Sequence, residues 1–269
     1  MLKKKIFFID LDGTLLDSGY GRSAKMSKRN EQAVLKASKK NIIVISTGRK
    51  YSSKVQNISK KIGAKYIACL NGALILQTDN QSVLKSEDIN EIVVKEVFEI
   101  AQNNNICFST DTEKILFGEG IRSKILAFIT SLKAESFKTF KVKTAKKILL
   151  MSFSTNNIEI VFKQIKNKYE GFLNLALVAK GRAIEITSKP ASKGEVIKFI
   201  AALENINLKN TVHIGDSMND ASTKNIAGQL IALKSGSKNL QKIADKVDGK
   251  IKYSAVAKIL RKEENNNEK

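Results

Sequence analysis

Short apolar runs, each ending in polar residues, recur along this chain and predict buried strands. The first run covers residues 6–9, similar runs cover 42–45, 66–70 and 230–233, and a further strand pattern at 211–214 includes Thr211 and His213. Segments with helical periodicity separate most of these runs. This alternation of strands and helices predicts an α/β fold with a doubly wound, Rossmann-like parallel sheet.

The first apolar run leads directly into two carboxylates, Asp10 and Asp12. Strand alternation places both on the same side of the chain, with Leu11 on the other. Two like charges this close repel each other unless a cation lies between them, and a divalent cation with oxygen ligands suits the site. The alternative is a solvated turn in which one Asp caps the next segment, but such a turn does not need a wholly apolar strand before it.

Polar groups at other strand ends complement this pair of carboxylates. Ligands of doubly wound sheets bind at the carboxyl ends of the parallel strands, so we expect these groups to converge. They are Thr47, Gly48, Asn71, Asp216, Asn219 and Asp220, and Lys193 opens a helix between the last two of these strand ends. Carboxylates can hold Mg²⁺, one carboxylate can attack phosphorus, and the hydroxyl, amide and ammonium groups can bind phosphoryl oxygens.

The α/β pattern is interrupted over residues 82–187, where helical and strand patterns mix without paired carboxylates or a Gly-rich phosphate loop. We therefore predict an inserted α+β domain of residues 82–187. Residues 1–81 and 188–260 would form the α/β core around it. Residues 261–269 are charged and Asn-rich, and we predict a disordered tail there.

The chain is strongly basic, with 47 Lys and Arg against 26 Asp and Glu and a formal net charge of +21. The lysines are spread along the chain, and the abundance of Asn and Ile indicates a general compositional bias. We therefore expect no nucleic-acid partner, and a basic nucleic-acid-binding protein on this scaffold remains the non-enzymatic alternative. A basic field would also attract anionic phosphate substrates.

The two cysteines, Cys69 and Cys107, lie in apolar surroundings and provide no disulfide framework. No apolar segment is long enough to cross a membrane, so we expect a cytoplasmic protein without a membrane partner. His213, the only histidine, falls within an apolar strand pattern. We expect it in the core rather than in catalysis.

The polar motifs, taken in order, resemble those of the haloacid-dehalogenase-like (HAD) phosphatases. The resemblance is carried by Asp10-Leu11-Asp12-Gly13-Thr14, Thr47-Gly48-Arg49, Asn71-Gly72-Ala73, Ser192-Lys193-Gly194, Gly215-Asp216-Ser217 and Asn219-Asp220. The large insert is similar to the type IIB cap of the Cof-like subfamily. The resemblance implies a phosphatase core whose inserted cap domain determines the substrate.

The resemblance also implies a reaction and a role for each residue. The reaction would be Mg²⁺-dependent hydrolysis of a small phosphorylated metabolite, such as a sugar phosphate, pyridoxal phosphate or flavin mononucleotide, through an aspartyl-phosphate. A hexose phosphomutase shares this covalent step and remains an alternative. The implied catalytic residues are Asp10 as nucleophile, Asp12 as general acid/base, Thr47 and Lys193. The implied metal ligands are Asp10, Asp12 through its backbone carbonyl, Asp216 and, directly or in support, Asp220. The implied phosphate and substrate contacts are Leu11 through its amide, Thr47, Gly48, Lys193, Asn219 and the nearby Asn71.

Overall fold

The computed structural model describes residues 4–19 and 23–267 and divides into two compact units. One unit holds the described residues up to Lys85 and from Ser192 onward, and the other is Ser86–Ala191. The inserted unit therefore begins and ends a few residues later than the predicted insert, 82–187. No helix in the described part of the chain is long and apolar enough to span a bilayer.

The strands and helices are named here in chain order. The first unit begins with β1 (Ile6–Ile9), α1 (Lys28–Ser38), β2 (Ile42–Ser46), α2 (Ser53–Lys61), β3 (Tyr66–Cys69), β4 (Leu74–Gln77) and β5 (Val83–Ser86). The second unit contains α3 (Glu91–Asn103), β6 (Cys107–Thr110), β7 (Ile115–Phe117), α4 (Gly120–Thr130), β8 (Lys133–Glu135), β9 (Ile148–Met151), α5 (Thr155–Lys168), β10 (Leu173–Val178) and β11 (Ala183–Ser188). The first unit resumes with α6 (Lys193–Leu203), β12 (Thr211–Gly215), β13 (Gln229–Leu233), α7 (Lys238–Ile243), β14 (Lys246–Asp248) and α8 (Ala255–Asn267).

The sheet of the first unit has the strand order β14-β13-β12-β1-β2-β3-β4-β5. β1 pairs in parallel with β2 on one side and with β12 on the other. The chain therefore moves outward from β1 in both directions, which makes the carboxyl end of β1 the switch point where such sheets bind ligands. The predicted doubly wound α/β fold is confirmed, and an antiparallel β3–β4 hairpin extends one edge.

The core of the first unit explains why β1 is apolar throughout. Every residue of β1 is buried, which is expected of a central parallel strand covered on both faces. Phe8 belongs to a cluster in which the apolar side of α6, including Val196 and Ile200, packs on one face of the sheet. This packing holds α6 beside the carboxyl ends of β1 and β12. Lys193, the first residue of α6, is fully buried there.

The second unit is an α+β domain built on a six-stranded sheet of order β10-β11-β9-β6-β7-β8. Its strand pairs are antiparallel except for the parallel pair β7–β8. Helices α3 and α5 contribute Val97, Ile158 and Val161 to its main core cluster. Phe98 stacks on Phe140 in the same cluster, with ring centroids 4.3 Å apart.

The C-terminal segment corrects one prediction. We predicted disorder for 261–269, but α8 continues to Asn267, and residues 268 and 269 lie outside the described part of the chain. Glu263 is buried and pairs with Lys5 at 3.1 Å and with Lys246 at 3.5 Å. The predicted tail continues α8, whose buried apolar residues all lie before it, namely Ala255, Val256, Ala257, Ile259 and Leu260.

Candidate active site

The candidate site lies at the carboxyl end of β1, and backbone hydrogen bonds shape its first wall. The Asp10 amide donates to the carbonyl of Ile214 at 3.0 Å, which extends the β1–β12 pairing by one residue. The Leu15 amide then donates to the Asp10 carbonyl at 3.1 Å and closes a turn. Gly13 in this turn has φ +76°, and a Cβ there would collide with the carboxylate of Asp216. Glycine is therefore required where the two strand ends meet.

Three carboxylates meet at this point. Oxygens of Asp10, Asp216 and Asp220 all lie within 4.8 Å of one another. Asp10 and Asp220 are buried, and Asp216 is partly buried. Thr14 donates its hydroxyl hydrogen to Oδ1 of Asp216 at 3.2 Å. The sheet thus brings together side chains separated by about two hundred residues, as the sequence predicts.

Lys193 supplies the positive charge of the cluster. Its Nζ lies 2.7 Å from Oδ1 of Asp10 and 2.6 Å from Oδ1 of Asp220, and its side chain is fully buried. The N-terminus of α6 is positioned by Ser192, whose Oγ accepts a hydrogen bond from the Glu195 amide at 3.1 Å. One buried ammonium group is therefore shared between two carboxylates.

Four nitrogen atoms lie within hydrogen-bonding distance of the Asp220 carboxylate. Its Oδ2 accepts from the backbone amides of Asp216 and Ser217, each at 3.0 Å. Its Oδ1 lies 2.6 Å from Nζ of Lys193 and 2.7 Å from Nε2 of His213. The Asp220 carboxyl group occupies the space that a Cβ at Gly215 would need. This carboxylate therefore holds the loop after β12 in place.

The electrostatics of the three carboxylates differ. Burial raises the pKa of Asp10 well above its usual range; the charges of Asp220 and Asp216 add to this effect, and Lys193 opposes it. Burial and the Asp220 charge raise the pKa of Asp216 to about 6. Burial also favours neutral Asp220, but Lys193 and His213 outweigh it and hold the pKa of Asp220 below its usual range.

These pKa shifts test whether the site suits a metal ion. Burial and the neighbouring carboxylates disfavour the ionised forms of Asp10 and Asp216 although Lys193 opposes this, and the oxygens of the two groups lie close together. An all-oxygen donor set of this kind is what Mg²⁺ prefers. The residues present therefore fit a hard divalent cation.

Asp12 lies outside the three-carboxylate cluster. Its Oδ2 accepts from Nε of Arg49 at 2.6 Å, and its Oδ1 accepts from Nη2 of the same guanidinium. The Asp12 side chain is 47% exposed, so the pair faces the open side of the site. The roles predicted for Asp12, as acid/base and as a ligand through its backbone carbonyl, remain predictions. Arg49, which sequence reasoning left without a role, positions this carboxylate.

The remaining predicted residues join the other strand ends. Thr47 follows β2, is buried, and donates its amide hydrogen to the Ala68 carbonyl at 2.9 Å. Asn71 adopts φ 58°, and its Oδ1 accepts from Nδ2 of Asn219 at 3.2 Å. Asn219 lies in the same short 3₁₀ turn as Asp220, Met218–Thr223. The ends of β3 and β12 are therefore linked directly by side chains. Two further phosphate-binding candidates sit on this edge, Leu11 with a fully buried side chain and Gly48, which is partly buried.

Sequence reasoning missed the contact between His213 and the carboxylate cluster. His213 is fully buried, as predicted, but its ring also faces Asp220. Burial lowers the pKa of His213, and the hydrogen bond with Asp220 only partly opposes this effect. The sequence signal for this contact was the position of His213 within a buried strand, shortly before the acidic residues Asp216 and Asp220.

Comparison with known proteins places this geometry in context. A sequence model of the haloacid dehalogenase-like hydrolases matches residues 7–260. The chain is 27% identical to the phosphatase YwpJ of Bacillus subtilis, over 90% of this chain and 94% of that protein. It is 26% identical to the 5-amino-6-(5-phospho-D-ribitylamino)uracil phosphatase YwtE of the same bacterium, over 85% and 87% of the two chains. Its fold is similar to that of an HAD subclass IIB sugar phosphatase of known structure, with a TM-score of 0.77, 19% identity and coverage of 97% and 99%.

Proposed function

Because the chain belongs to the haloacid dehalogenase-like hydrolase family, we propose that it is a Mg²⁺-dependent phosphatase of small phosphorylated metabolites that works through an aspartyl-phosphate on Asp10. One observation carries the proposal. Buried carboxylates with insufficient counter-charge lie beside a buried lysine at the switch point of a parallel sheet. Phosphoryl transfer requires mainly positioning and charge neutralisation, and this arrangement can provide both.

The metal site is proposed from the carboxylate geometry. Asp10 and Asp216 would bind the ion through side-chain oxygens, and Asp12 would bind it through its backbone carbonyl. Asp220, with four hydrogen-bond donors already around its carboxylate, would support the site from behind. Bound Mg²⁺ would neutralise the carboxylates and the phosphoryl oxygens.

Asp10 is the proposed nucleophile. Its carboxylate oxygen would form a bond to phosphorus while the bond between phosphorus and the ester oxygen breaks. Lys193, which already contacts Asp10, would bind a phosphoryl oxygen and keep Asp10 ionised. The backbone amide of Leu11, the hydroxyl of Thr47, and the groups of Gly48, Asn219 and Asn71 would bind the remaining oxygens.

Asp12 is the proposed acid/base. In the first step it would give a proton to the departing alcohol oxygen. In the second step it would take a proton from the water that attacks the phosphorus of the aspartyl-phosphate, releasing inorganic phosphate and restoring Asp10. Arg49 donates to both Asp12 oxygens and would hold the carboxyl group in place between the two steps.

The substrate class is proposed from the relatives and the insert. One relative is named for a phosphorylated ribityl compound, and one structural neighbour is described as a sugar phosphatase. We propose that this chain likewise acts on a small metabolite of the sugar phosphate, pyridoxal phosphate or flavin mononucleotide class. The inserted unit Ser86–Ala191 would select among these substrates.

The test is a hydrolysis assay on p-nitrophenyl phosphate and a panel of these metabolites, with Mg²⁺ or with EDTA. We expect Mg²⁺-dependent release of inorganic phosphate that Asp10→Asn abolishes. Asp79→Asn, which removes an exposed carboxylate after β4, should leave it unchanged. Activity that survives Asp10→Asn would contradict the mechanism. Isomerisation of a hexose phosphate without phosphate release would support the phosphomutase alternative instead.

A further inference from the structure

We infer that His213 is a positioning residue of this site. It donates a hydrogen bond from Nε2 to Asp220, so that Asp220 binds Lys193 less tightly and the ammonium group can bind Asp10 and the phosphate. His213 is remote from the expected path of the substrate, since it is fully buried within β12. Its part in catalysis would therefore pass through Asp220 and Lys193. The kinetic half of this inference rests on the proposed phosphatase function.

The Asp220 carboxylate can accept only a limited number of hydrogen bonds. A carboxylate has two oxygens with about four lone-pair sites in total. Four donors surround this carboxylate, namely the amides of Asp216 and Ser217, Nζ of Lys193 and Nε2 of His213. Each site is therefore filled, and losing any donor would leave a buried charged oxygen short of one partner.

The surroundings of the imidazole identify which nitrogen carries the proton. Nε2 lies 2.7 Å from Oδ1 of Asp220, whereas Nδ1 has no hydrogen-bond partner among the described residues. The strand neighbours of His213 are Phe8 on β1 and Leu230 on β13, both fully buried. In this apolar slot, the neutral ring with its proton on Nε2 satisfies Asp220.

The consequence for Lys193 follows from the shared oxygen. Lys193 and His213 both bind Oδ1 of Asp220, and the same ammonium also binds Asp10. Without the histidine donor, Oδ1 of Asp220 would depend on Lys193 alone and would hold it more tightly. Less of the ammonium's binding capacity would then be available to Asp10 and to a phosphoryl oxygen.

The first test reads the histidine directly and needs no activity. Because His213 is the only histidine, protein labelled with ¹⁵N in the ring and free of any histidine tag gives signals from one imidazole. We expect ring-nitrogen shifts of the neutral tautomer with its proton on Nε2, and we expect them to change in Asp220→Asn. A proton on Nδ1 with none on Nε2 would overturn the inference, whatever the protein's activity.

The second test uses a matched pair of variants. His213→Gln can place an amide donor near the position of Nε2, and His213→Met has similar length and volume without a donor. We expect the Met variant to lose about tenfold in kcat/KM and to bind inorganic phosphate more weakly by a similar factor, with the Gln variant within about threefold of wild type. Equal loss in both variants, or no loss in either, would overturn the inference. If the Met variant does not fold, the ring-nitrogen measurement decides. If wild-type protein hydrolyses no phosphate ester, the proposed function fails while the ring-nitrogen result still judges the hydrogen bond.

Discussion

Replacing Asp216 by Asn should stabilise the metal-free protein at neutral pH. Burial and the Asp220 charge raise the pKa of Asp216 from 3.8 to about 6, so this carboxyl binds its proton more tightly in the folded chain than in the unfolded chain. The contribution of Asp216 to the stability of the metal-free protein should therefore fall as the pH rises from about 3.8 through about 6. Asn keeps the shape and the oxygen that accepts from Thr14, but it carries no charge.

The size of the stability gain follows from the pKa of Asp216 in the unfolded chain, 3.8, and in the folded chain, about 6. Their difference corresponds to about 3 kcal/mol once the pH is well above 6, because each pKa unit is worth about 1.4 kcal/mol. The gain from Asp216→Asn should therefore be about 3 kcal/mol at about pH 7.5 and only about 1 kcal/mol at about pH 4.5. Added Mg²⁺ should raise the Tm of wild-type protein at neutral pH, because it neutralises the same carboxylate, and should lose most of this effect in the variant.

The assay is urea denaturation in EDTA at these two pH values, followed by thermal unfolding with and without Mg²⁺. Asp79→Asn, which removes one negative charge from an exposed position, should change stability by less than about 0.5 kcal/mol. A variant that is no more stable than wild type at neutral pH would refute the reasoning. So would a gain that does not depend on pH, or a full Mg²⁺ response in Asp216→Asn.

Two other experiments probe the buried groups. Lys193→Met leaves the carboxylates of Asp10 and Asp220 without their shared ammonium group. Urea denaturation at neutral pH should therefore show that the free energy of unfolding falls by about 3–5 kcal/mol. A decrease below about 1 kcal/mol would contradict the assigned pairing. Burial raises the pKa of Cys69 to about 12 and that of Cys107 to about 11. A thiol reagent at mildly alkaline pH should therefore label neither cysteine in the folded protein and both cysteines in urea. Rapid labelling of the folded protein would argue against the burial of these cysteines.

The central strands could be predicted from sequence because both of their faces are buried. β1 and the first four residues of β2 are continuous apolar runs, whereas the buried strand β12 also carries Thr211 and His213. The edge strands carry no such signal. β5 is exposed or partly exposed throughout, and β14 is Lys-Val-Asp, so neither stands out from a loop. Tertiary packing rather than local pattern creates these edges.

The residues that line the site could be predicted from the sequence, but the pairs that their side chains form could not. The polar ends of the strands indicate that Asp10, Asp216 and Asp220 should meet, since parallel strands place their carboxyl ends together, and Lys193 is indicated by its place at the start of α6. They do not indicate that Lys193 would be shared by two carboxylates, or that Arg49 would clamp Asp12. Contacts between side chains distant in sequence depend on the packing of α6 and of the loops, which no local pattern encodes.

The most direct test of the proposed mechanism is to trap the covalent intermediate. Protein mixed with a phosphate ester and Mg²⁺ would be quenched and reduced with borohydride, which converts a phosphorylated aspartate to homoserine. The peptide containing residue 10 would then be sequenced by mass spectrometry. We predict homoserine at position 10, dependent on both substrate and Mg²⁺ and absent when either is omitted. Steady turnover with aspartate intact at position 10, or with homoserine at position 12 or 216 instead, would contradict the account.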